Sequence, residues 1–172
     1  MARGTYRSCH KGFTLLELSV VLAIVSLVAL LVFPLLPSTQ GARLRQGARQ
    51  VAALIRYVQD QAIANHQRYR LRVTIGGNTL TTTTLQADGT ELPASDPFLQ
   101  GGGLPDSITI SDLVTARGRQ REGELLLDIS PAGLRDLLIV HLATPDQKAM
   151  TVIALPGGSR VLTLEGYQEE VP

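Results

Sequence analysis

The 172-residue chain has little of several residue types, and each shortage excludes a class of protein. Its single cysteine, Cys9, excludes an intramolecular disulfide and a cysteine-ligated metal site. Tryptophan is absent and aromatic residues amount to 4%, yet an apolar content of 44% supports a modest aliphatic core and excludes a disordered chain. A formal net charge of +1 argues against a protein built mainly to coat nucleic acid.

Signatures of catalysis and of cofactor binding are also missing from the sequence. Ser130 lies in Ser-Pro-Ala-Gly rather than in a nucleophile elbow, and His66 and His141 each lack a second histidine at ligand spacing. The glycines at 101–103 precede Leu-Pro-Asp rather than a lysine and a helix, which excludes a phosphate-binding loop. The acidic residues of the Gly/Pro-rich loop 87–106 lack the spacing of a calcium-binding hand loop. The sequence therefore predicts no enzyme, no cofactor and no metal site.

The charge that the chain does carry is unevenly distributed. The first twelve residues hold three basic side chains and no acid, and from Phe13 to Gln40 the only charged residue is Glu17. Seven arginines against one acid follow between 43 and 72, whereas six basic residues face thirteen acidic ones in 73–172. This division predicts four segments: a leader (1–12), a transmembrane helix (13–36), an amphipathic basic stalk helix (37–66) and an acidic β-rich head (67–172).

The apolar segment has the length of a membrane span. Phe13 to Phe33 is 21 residues, which as a helix covers about 31 Å, close to the thickness of a bilayer core. The basic residues ahead of it predict that the N-terminus stays in the cytoplasm and the rest is exported. An ordinary secretory signal would have a shorter apolar run and a small-residue cleavage site. A plain anchor is the other alternative, but it leaves Glu17 unexplained.

Glu17 is a functional candidate because a carboxylate within a membrane costs about 2.5–3.5 kcal/mol at the bilayer centre. It lies four residues into the apolar run, about 6 Å deep, and it needs a cation. Cleavage after Gly12 would supply one, since Phe13 would then carry a new ammonium group. Glu17 of the same chain lies one helical turn away, and Glu17 of a neighbouring subunit is an alternative partner.

The run Lys11-Gly12-Phe13-Thr14-Leu15-Leu16-Glu17 resembles the class III signal of type IV pilins and type II secretion pseudopilins. The resemblance implies that the membrane prepilin peptidase cuts after Gly12, removing Cys9 with the leader, and N-methylates Phe13. It also implies that Glu17 directs filament assembly. The expected product is a non-catalytic, single-pass inner-membrane protein with a periplasmic head. Its implied partners are major and minor pseudopilins, the prepilin peptidase, the inner-membrane assembly platform and membrane lipid.

Beyond the membrane segment the pattern changes twice. Pro34 and Pro37 predict a helix break, because each proline removes a backbone donor and clashes with the preceding turn. A stalk helix then carries one apolar stripe, formed by Leu44, Ala48, Val51, Ile55, Val58 and Ala62. We expect this stripe to dock on the head while the arginines on the other faces either contact a neighbour in a filament or are simply solvated.

The remainder has the alternation and turn signals of strands. Tyr69, Leu71, Val73 and Ile75 alternate with polar residues, and further strand patterns occur at 79–85, 124–129, 137–143, 149–155 and 161–164. The predicted fold class is therefore α+β, a long N-terminal helix packed on an antiparallel pilin-like head. The loop 87–106 is long for a compact domain, and its Phe98 and Leu99 would either contact a neighbouring subunit or plug the sheet edge.

The order of elements resembles most closely the H-type minor pseudopilin of type II secretion and its T-type relative in type IV pili. Three short segments carry that finer resemblance: 61–66 at the end of the stalk, Ser-Pro-Ala-Gly at 130–133, and Leu-Pro-Gly-Gly-Ser-Arg-Val at 155–161. The implied function is that of a minor pseudopilin, a structural subunit of a periplasmic pseudopilus.

The alternative function is that of a DNA-binding minor type IV pilin, active in DNA uptake or pilus biogenesis. Some pilus relatives bind DNA through Gly-Arg-x-Arg near the C-terminus, and the segment 117–121 contains that form about 50 residues before the end. The contacts would be Arg117, Arg119 and Arg121. The acidic head disfavours nucleic acid, since phosphate binding depends on cationic surface.

Overall fold

The computed structural model describes residues 14–32, 39–100, 102–158 and 160–169. The chain divides into two compact units, Met1–Pro37 and Ser38–Pro172, and each is described by itself. The residues predicted for processing (Lys11, Gly12 and Phe13) and the helix-breaking prolines (Pro34 and Pro37) lie outside the described residues. Their roles therefore stay predictions.

In the first unit, helix α1 spans Leu15–Val32 and has no buried residue. Its apolar side chains surround the whole helix, so no face distinguishes a core side from a solvent side. Among the described residues, α1 is the helix whose length and composition allow it to span a membrane. Its two hydroxyls, on Ser19 and Ser26, donate to the backbone carbonyls of Leu16 (2.7 Å) and Leu22 (2.8 Å) and so are satisfied within the helix.

The second unit begins with helix α2, which spans Thr39–Asn65. All six residues of the predicted apolar stripe are buried, none of them more than 3% exposed, which confirms the stripe. The helix ends where His66 takes a left-handed conformation (φ 52°), a common way to terminate a helix. Because the spacing of four and three residues places the stripe on one face, α2 buries it along its whole length.

Eleven strands follow: β1 (Arg68–Thr74), β2 (Thr79–Leu85), β3 (Glu91–Pro93), β4 (Gly102–Gly103), β5 (Thr109–Thr115), β6 (Gly118–Gln120), β7 (Glu124–Ser130), β8 (Gly133–Leu134), β9 (Leu138–Ala143), β10 (Ala149–Ala154) and β11 (Val161–Glu165). The first sheet has the order β3-β2-β1-β7-β8, with β4 also paired to β2, and the second has the order β11-β10-β9-β5-β6. All of these pairs are antiparallel. The α+β prediction, a helix on an antiparallel head, is confirmed.

Helix α2 and both sheets share one hydrophobic core. The turn between β1 and β2 joins the sheets directly, since the N–H of Gly76 donates to the Ile110 carbonyl (2.8 Å) and the N–H of Ile110 donates to the Gly77 carbonyl (2.9 Å). Strand β9 is almost wholly buried, as predicted for an interior strand with apolar residues on both faces. The head is therefore a single packed body.

Three parts of the head differ from the sequence-based expectation. The predicted loop 87–106 contains β3 and β4, which pair with the outer edge of β2 at Thr83–Leu85 and Thr79–Leu80. The segment 117–121, where the sequence predicted no strand, contains edge strand β6. Strand β5 gave no strand signal because its register shifts between Ile110 and Asp112, and this irregularity breaks the alternation of apolar and polar residues.

Two of the three motifs that suggested the H-type resemblance meet in the fold. Gly133, after Ser-Pro-Ala, has φ +87°, and the N–H of Gly157 donates to the Leu134 carbonyl (2.9 Å). A Cβ at position 133 would lie 3.3 Å from the backbone nitrogen of Gly158. Gly133 is therefore required both for its left-handed conformation and for the close approach of the two turns.

We expect Gly133→Ala to lower the free energy of unfolding by about 1–3 kcal/mol, because the left-handed conformation and the tight contact both oppose a side chain. Gly89→Ala is the matched control, since Gly89 has φ +88° but no atom lies within 4 Å of the place that its Cβ would take. Urea unfolding of a 38–172 fragment measures the free energy of unfolding of both variants and of wild type. Equal losses in the two variants would show that the contact with Gly158 contributes nothing.

Candidate functional site

The start of α1 is built around Thr14 and Glu17. The backbone N–H of Glu17 donates to the Thr14 hydroxyl oxygen (3.2 Å), and the N–H of Leu18 donates to the Thr14 carbonyl (3.2 Å). Thr14 is therefore the N-cap and Glu17 occupies the third helical position, the spacing of a capping box. No role as an N-cap was predicted for Thr14, although the Thr-x-x-Glu spacing is the sequence signal of a capping box.

The first N–H groups of a helix have no partner within the helix, and this cap satisfies one of them. In lipid, a backbone N–H without a hydrogen-bond partner is energetically costly. The Glu17 carboxylate also lies at the positive end of the helix dipole, which favours a negative charge there. No basic side chain occurs within 14–32, so the described part of α1 offers the carboxylate no cation. Any cation that pairs with Glu17 would therefore come from outside this helical segment.

The three arginines of the DNA hypothesis have different environments. Arg119, on β6, pairs with Glu169 (2.6 Å) and Asp112 (3.4 Å), and its guanidinium lies 5.7 Å from the centre of the Tyr167 ring. The hydrogen bond to Glu169 raises the pKa of Arg119, so the guanidinium stays protonated and its charge is balanced by the carboxylate. The pKa of Asp128 is lowered mainly by its hydrogen bond with Arg70, and the positive charge of Arg117 makes a smaller contribution in the same direction. Arg121 is exposed.

Arg119 lies at the exposed edge of a partly buried polar cluster that holds the segment after β11. His141 is fully buried, with Nδ1 3.1 Å from the Asp112 carboxylate and Nε2 donating to the Gln168 carbonyl (2.9 Å). The Tyr167 hydroxyl donates to the same carboxylate (2.9 Å), and its ring stacks on His141 at 3.8 Å. Burial, followed by this hydrogen bond, raises the pKa of Tyr167. His141 is thus a satisfied core histidine.

A charge network covers the outer face of the first sheet. The Arg70 guanidinium makes two hydrogen bonds to Asp128 (2.6 and 3.0 Å) and one to Glu91 (2.8 Å), which also accepts from the Thr83 hydroxyl. Arg72 lies between Glu91 (3.5 Å) and Glu124 (3.7 Å). The arginines Arg70 and Arg72 of β1 are therefore matched by acids, which weakens their attraction for phosphate.

This network makes the head sensitive to acid. The hydrogen bond from Arg70 lowers the pKa of both Glu91 and Asp128 below the ordinary carboxyl value. Their contribution to stability is thus fully present above about pH 4–5 and is lost as the pH falls through the lower folded-state values. We expect Arg70→Ala to destabilise the head at pH 7 and to differ little from wild type near pH 2. Arg160→Ala is the exposed control, and a pH-independent difference would contradict the assignment.

The described residues contain no group of three His, Cys, Asp or Glu side chains placed to hold a metal ion. They do contain a groove beside α2, lined by residues of α2, β2 and the segment 97–104. Of the two apolar residues noted in that loop, Leu99 is 2% exposed, whereas Phe98 is 54% exposed. Leu99 therefore belongs to the hydrophobic core, and a contact with a neighbouring subunit stays a prediction for Phe98.

Residues 7–33 match the prokaryotic N-terminal methylation motif. Two solved structures of the minor pseudopilin EpsH from the type II secretion system of Vibrio cholerae share the fold, with TM-scores of 0.54 and 0.57 at 17% and 16% identity. In both comparisons the match covers 72% of this chain and 97% of the EpsH chain. Comparison with curated protein sequences gives no match.

The chain therefore combines the N-terminal methylation motif of prokaryotic type IV pilins with a pilin-like fold. Its head has the fold of the minor pseudopilin EpsH, and the resemblance drawn from residues 11–17 and from the order of elements is confirmed. At 16–17% identity the likeness establishes the fold, and the subunit's role is a separate question.

Proposed function

We propose that this protein is a minor pseudopilin, a non-catalytic structural subunit of the periplasmic pseudopilus of a type II secretion system. The observation that supports it most is the pairing, in one chain, of the methylation motif at 7–33 with a head of the EpsH fold. The apolar helix α1, which buries no residue within the chain, supports it further, because such a helix needs lipid or other apolar helices around it.

In this proposal the prepilin peptidase cuts after Gly12 and N-methylates Phe13. The subunit waits in the inner membrane with its N-terminus in the cytoplasm and its head in the periplasm. Assembly then packs its N-terminal helix against those of major and minor pseudopilins on the inner-membrane platform. Glu17 guides this step by pairing with an N-terminal ammonium group, and a break at Pro34 and Pro37 lets the helix adapt.

Deleting the gene in its host is expected to trap the proteins exported by the secretion system in the periplasm. Wild-type protein supplied in trans should restore their release into the medium, and a chain that lacks residues 13–32 should not. Normal secretion in the deletion strain, together with a loss of DNA uptake, would contradict the proposal and favour the DNA-binding alternative.

DNA binding by the head gives a second test. We expect the 38–172 fragment to show no appreciable affinity for duplex DNA at physiological salt, because Arg119 is held by Asp112 and Glu169 and Arg70 is held by acids of the first sheet. Fluorescence anisotropy over a salt series measures this affinity. Micromolar binding that falls steeply with salt and disappears in the Arg117→Ala, Arg119→Ala, Arg121→Ala triple variant would contradict it.

A further inference from the structure

The groove beside α2 is a defined, mainly apolar cavity of about 460 Å³. One wall is the exposed flank of α2, with Gln46, Arg49 and Ala53 spaced over two turns. The opposite wall is formed by Pro97 and Phe98 and by the run from Gly102 to Leu104, and the core residues Val51 and Leu80 contribute to the lining. A cavity of this size takes a few side chains from a partner.

Phe98 stands at the groove as a fixed aromatic side chain. Its ring packs edge-on against Tyr57, with 5.0 Å between ring centres and an interplanar angle of 81°. Tyr57 donates its hydroxyl proton to Asp96, whose carboxylate also accepts from the N–H of Phe98 (2.8 Å), and these hydrogen bonds lower the pKa of Asp96. Leu99, next in the chain, is buried.

Phe98 is therefore an exposed side chain in a fixed position, because its ring packs on Tyr57 and its backbone N–H is bound by Asp96. A rigid aromatic at the edge of an apolar pocket loses little conformational entropy when a partner covers it, which is the property of aromatic residues that dominate binding interfaces. An apolar pocket with an exposed aromatic at its edge marks an interaction site more often than a single scattered apolar residue does.

Charge identifies the chemistry of the partner. Arg49 is the one charged residue that lines the groove in the described part of the chain, and its guanidinium has no ion-pair partner there. A segment with both apolar side chains and a carboxylate would fit this groove, since its apolar side chains would fill the cavity and its carboxylate would pair with Arg49. A second copy of this chain presenting its own α2 would instead bring mainly positive charge against Arg49, because α2 carries four exposed arginines against one exposed acid: Arg43, Arg45, Arg49 and Arg56 against Asp60.

We propose that this groove receives an acid-bearing amphipathic helix from a different pilin-like subunit, with Phe98 as its apolar anchor and Arg49 as its ion-pair partner. The small side chain of Ala53, exposed on the same wall as Arg49, allows the incoming helix to approach the α2 backbone closely. This inference rests on the proposed function, because it presupposes assembly with other pilin-like subunits.

Site-specific photocrosslinking on the full-length chain tests the groove in its host. A photoreactive benzoylphenylalanine incorporated at position 46, on the same wall and clear of Ala53, should crosslink to a helical segment of another pilin-like subunit, with a carboxylate within one turn of the crosslinked residue. Phe98→Ala and Arg49→Glu should each reduce the crosslink about tenfold or more, the loss typical of removing a binding hot spot. Reversing the partner's carboxylate to arginine should restore the crosslink to the Arg49→Glu chain.

Two exposed residues elsewhere on the head provide matched controls. Leu126→Ala removes an apolar side chain from the first sheet, and Arg160→Glu reverses a charge beyond the groove. Both should leave the crosslink unchanged. Thermal unfolding of each groove variant checks that the head remains folded, and a curve like that of wild type would show that it does. Of these variants, Arg49→Glu should disturb the fold least, because Arg49 is exposed and has no ion-pair partner among the described residues.

The outcomes separate the groove from the function. A crosslink to a second copy of this chain, to lipid, or to a pilin-like subunit but unaffected by Phe98→Ala and Arg49→Glu would overturn the groove assignment. Co-purification with pilin-like subunits without any crosslink from position 46 would also overturn it while leaving the proposed function in place. Absence of all pilin-like subunits from the purified chain would instead count against the proposed function.

Discussion

Gly12→Val is expected to leave the leader 1–12 attached to essentially all of the protein. The peptidase reaction proposed here needs a small residue on the leader side of the cut, and valine places a branched side chain against the enzyme. The uncut chain would keep Cys9, lack the ammonium group of Phe13 and enter no filament. Intact-mass spectrometry of the membrane fraction measures the ratio of uncut to mature chain directly.

Gly12→Ala is the control, because alanine adds only one methyl group and should retain a measurable fraction of cleavage. Full cleavage of the valine variant after residue 12 would show that the small residue is unnecessary. An N-terminus beyond Leu36 in the wild-type protein would instead assign the segment to an ordinary secretory signal.

Glu17→Val is expected to be cleaved and methylated normally but to be lost from filaments. The substitution removes the carboxylate that we propose to pair with the ammonium of Phe13 on a neighbouring subunit. At a separation of about 4 Å and an effective dielectric constant of about 20, that pair is worth about 4 kcal/mol before the cost of desolvation. Co-purification with partner pseudopilins, compared with wild type at equal expression, measures the loss.

Two further variants separate the ion pair from the structure of α1. Ser19→Val also removes a polar group from α1, but its hydroxyl already donates to the Leu16 carbonyl, so assembly should be normal. Thr14→Ala removes the N-cap and should weaken the helix start by about 1 kcal/mol while leaving Glu17 in place. Wild-type recovery of partners by Glu17→Val would show that the carboxylate is incidental.

The parts of the fold that could be predicted are those in which neighbouring residues carry the pattern. The stripe on α2 was evident because its spacing repeats along a helix of 27 residues and each member contributes to one face. Strand β1 was evident from its alternating side chains, and strand β2 from the β-branched threonines that follow the Gly76-Gly77-Asn78 turn. In each case the local pattern and the packing of the core agree.

The missed elements are those that depend on a distant partner. Strands β3 and β4 have three and two residues, too few to show any period, and they exist because the edge of β2 offers hydrogen bonds. The buried Asp112 gave β5 a polar residue at a core position, and its reason appears only when His141 and Tyr167 are placed beside it. Such a cluster joins residues 29 and 55 positions apart, beyond any local pattern.

The candidate site shows the same division. The motif at 11–17 could be found from the sequence, since all of its members lie within seven consecutive residues. The groove could not, because it brings α2 together with β2 and the segment 97–104. Phe98 and Leu99 are adjacent in sequence and both apolar, and only the fold shows that one is exposed and the other buried.

Mass spectrometry of the full-length protein, affinity-purified from membranes of its host after mild crosslinking, tests the central claim most directly. The account predicts a mature chain that begins at N-methylated Phe13 and is accompanied by other pilin-like subunits with methylated N-termini. A chain that retains residues 1–12 or begins elsewhere, recovered without pilin-like subunits, would contradict it.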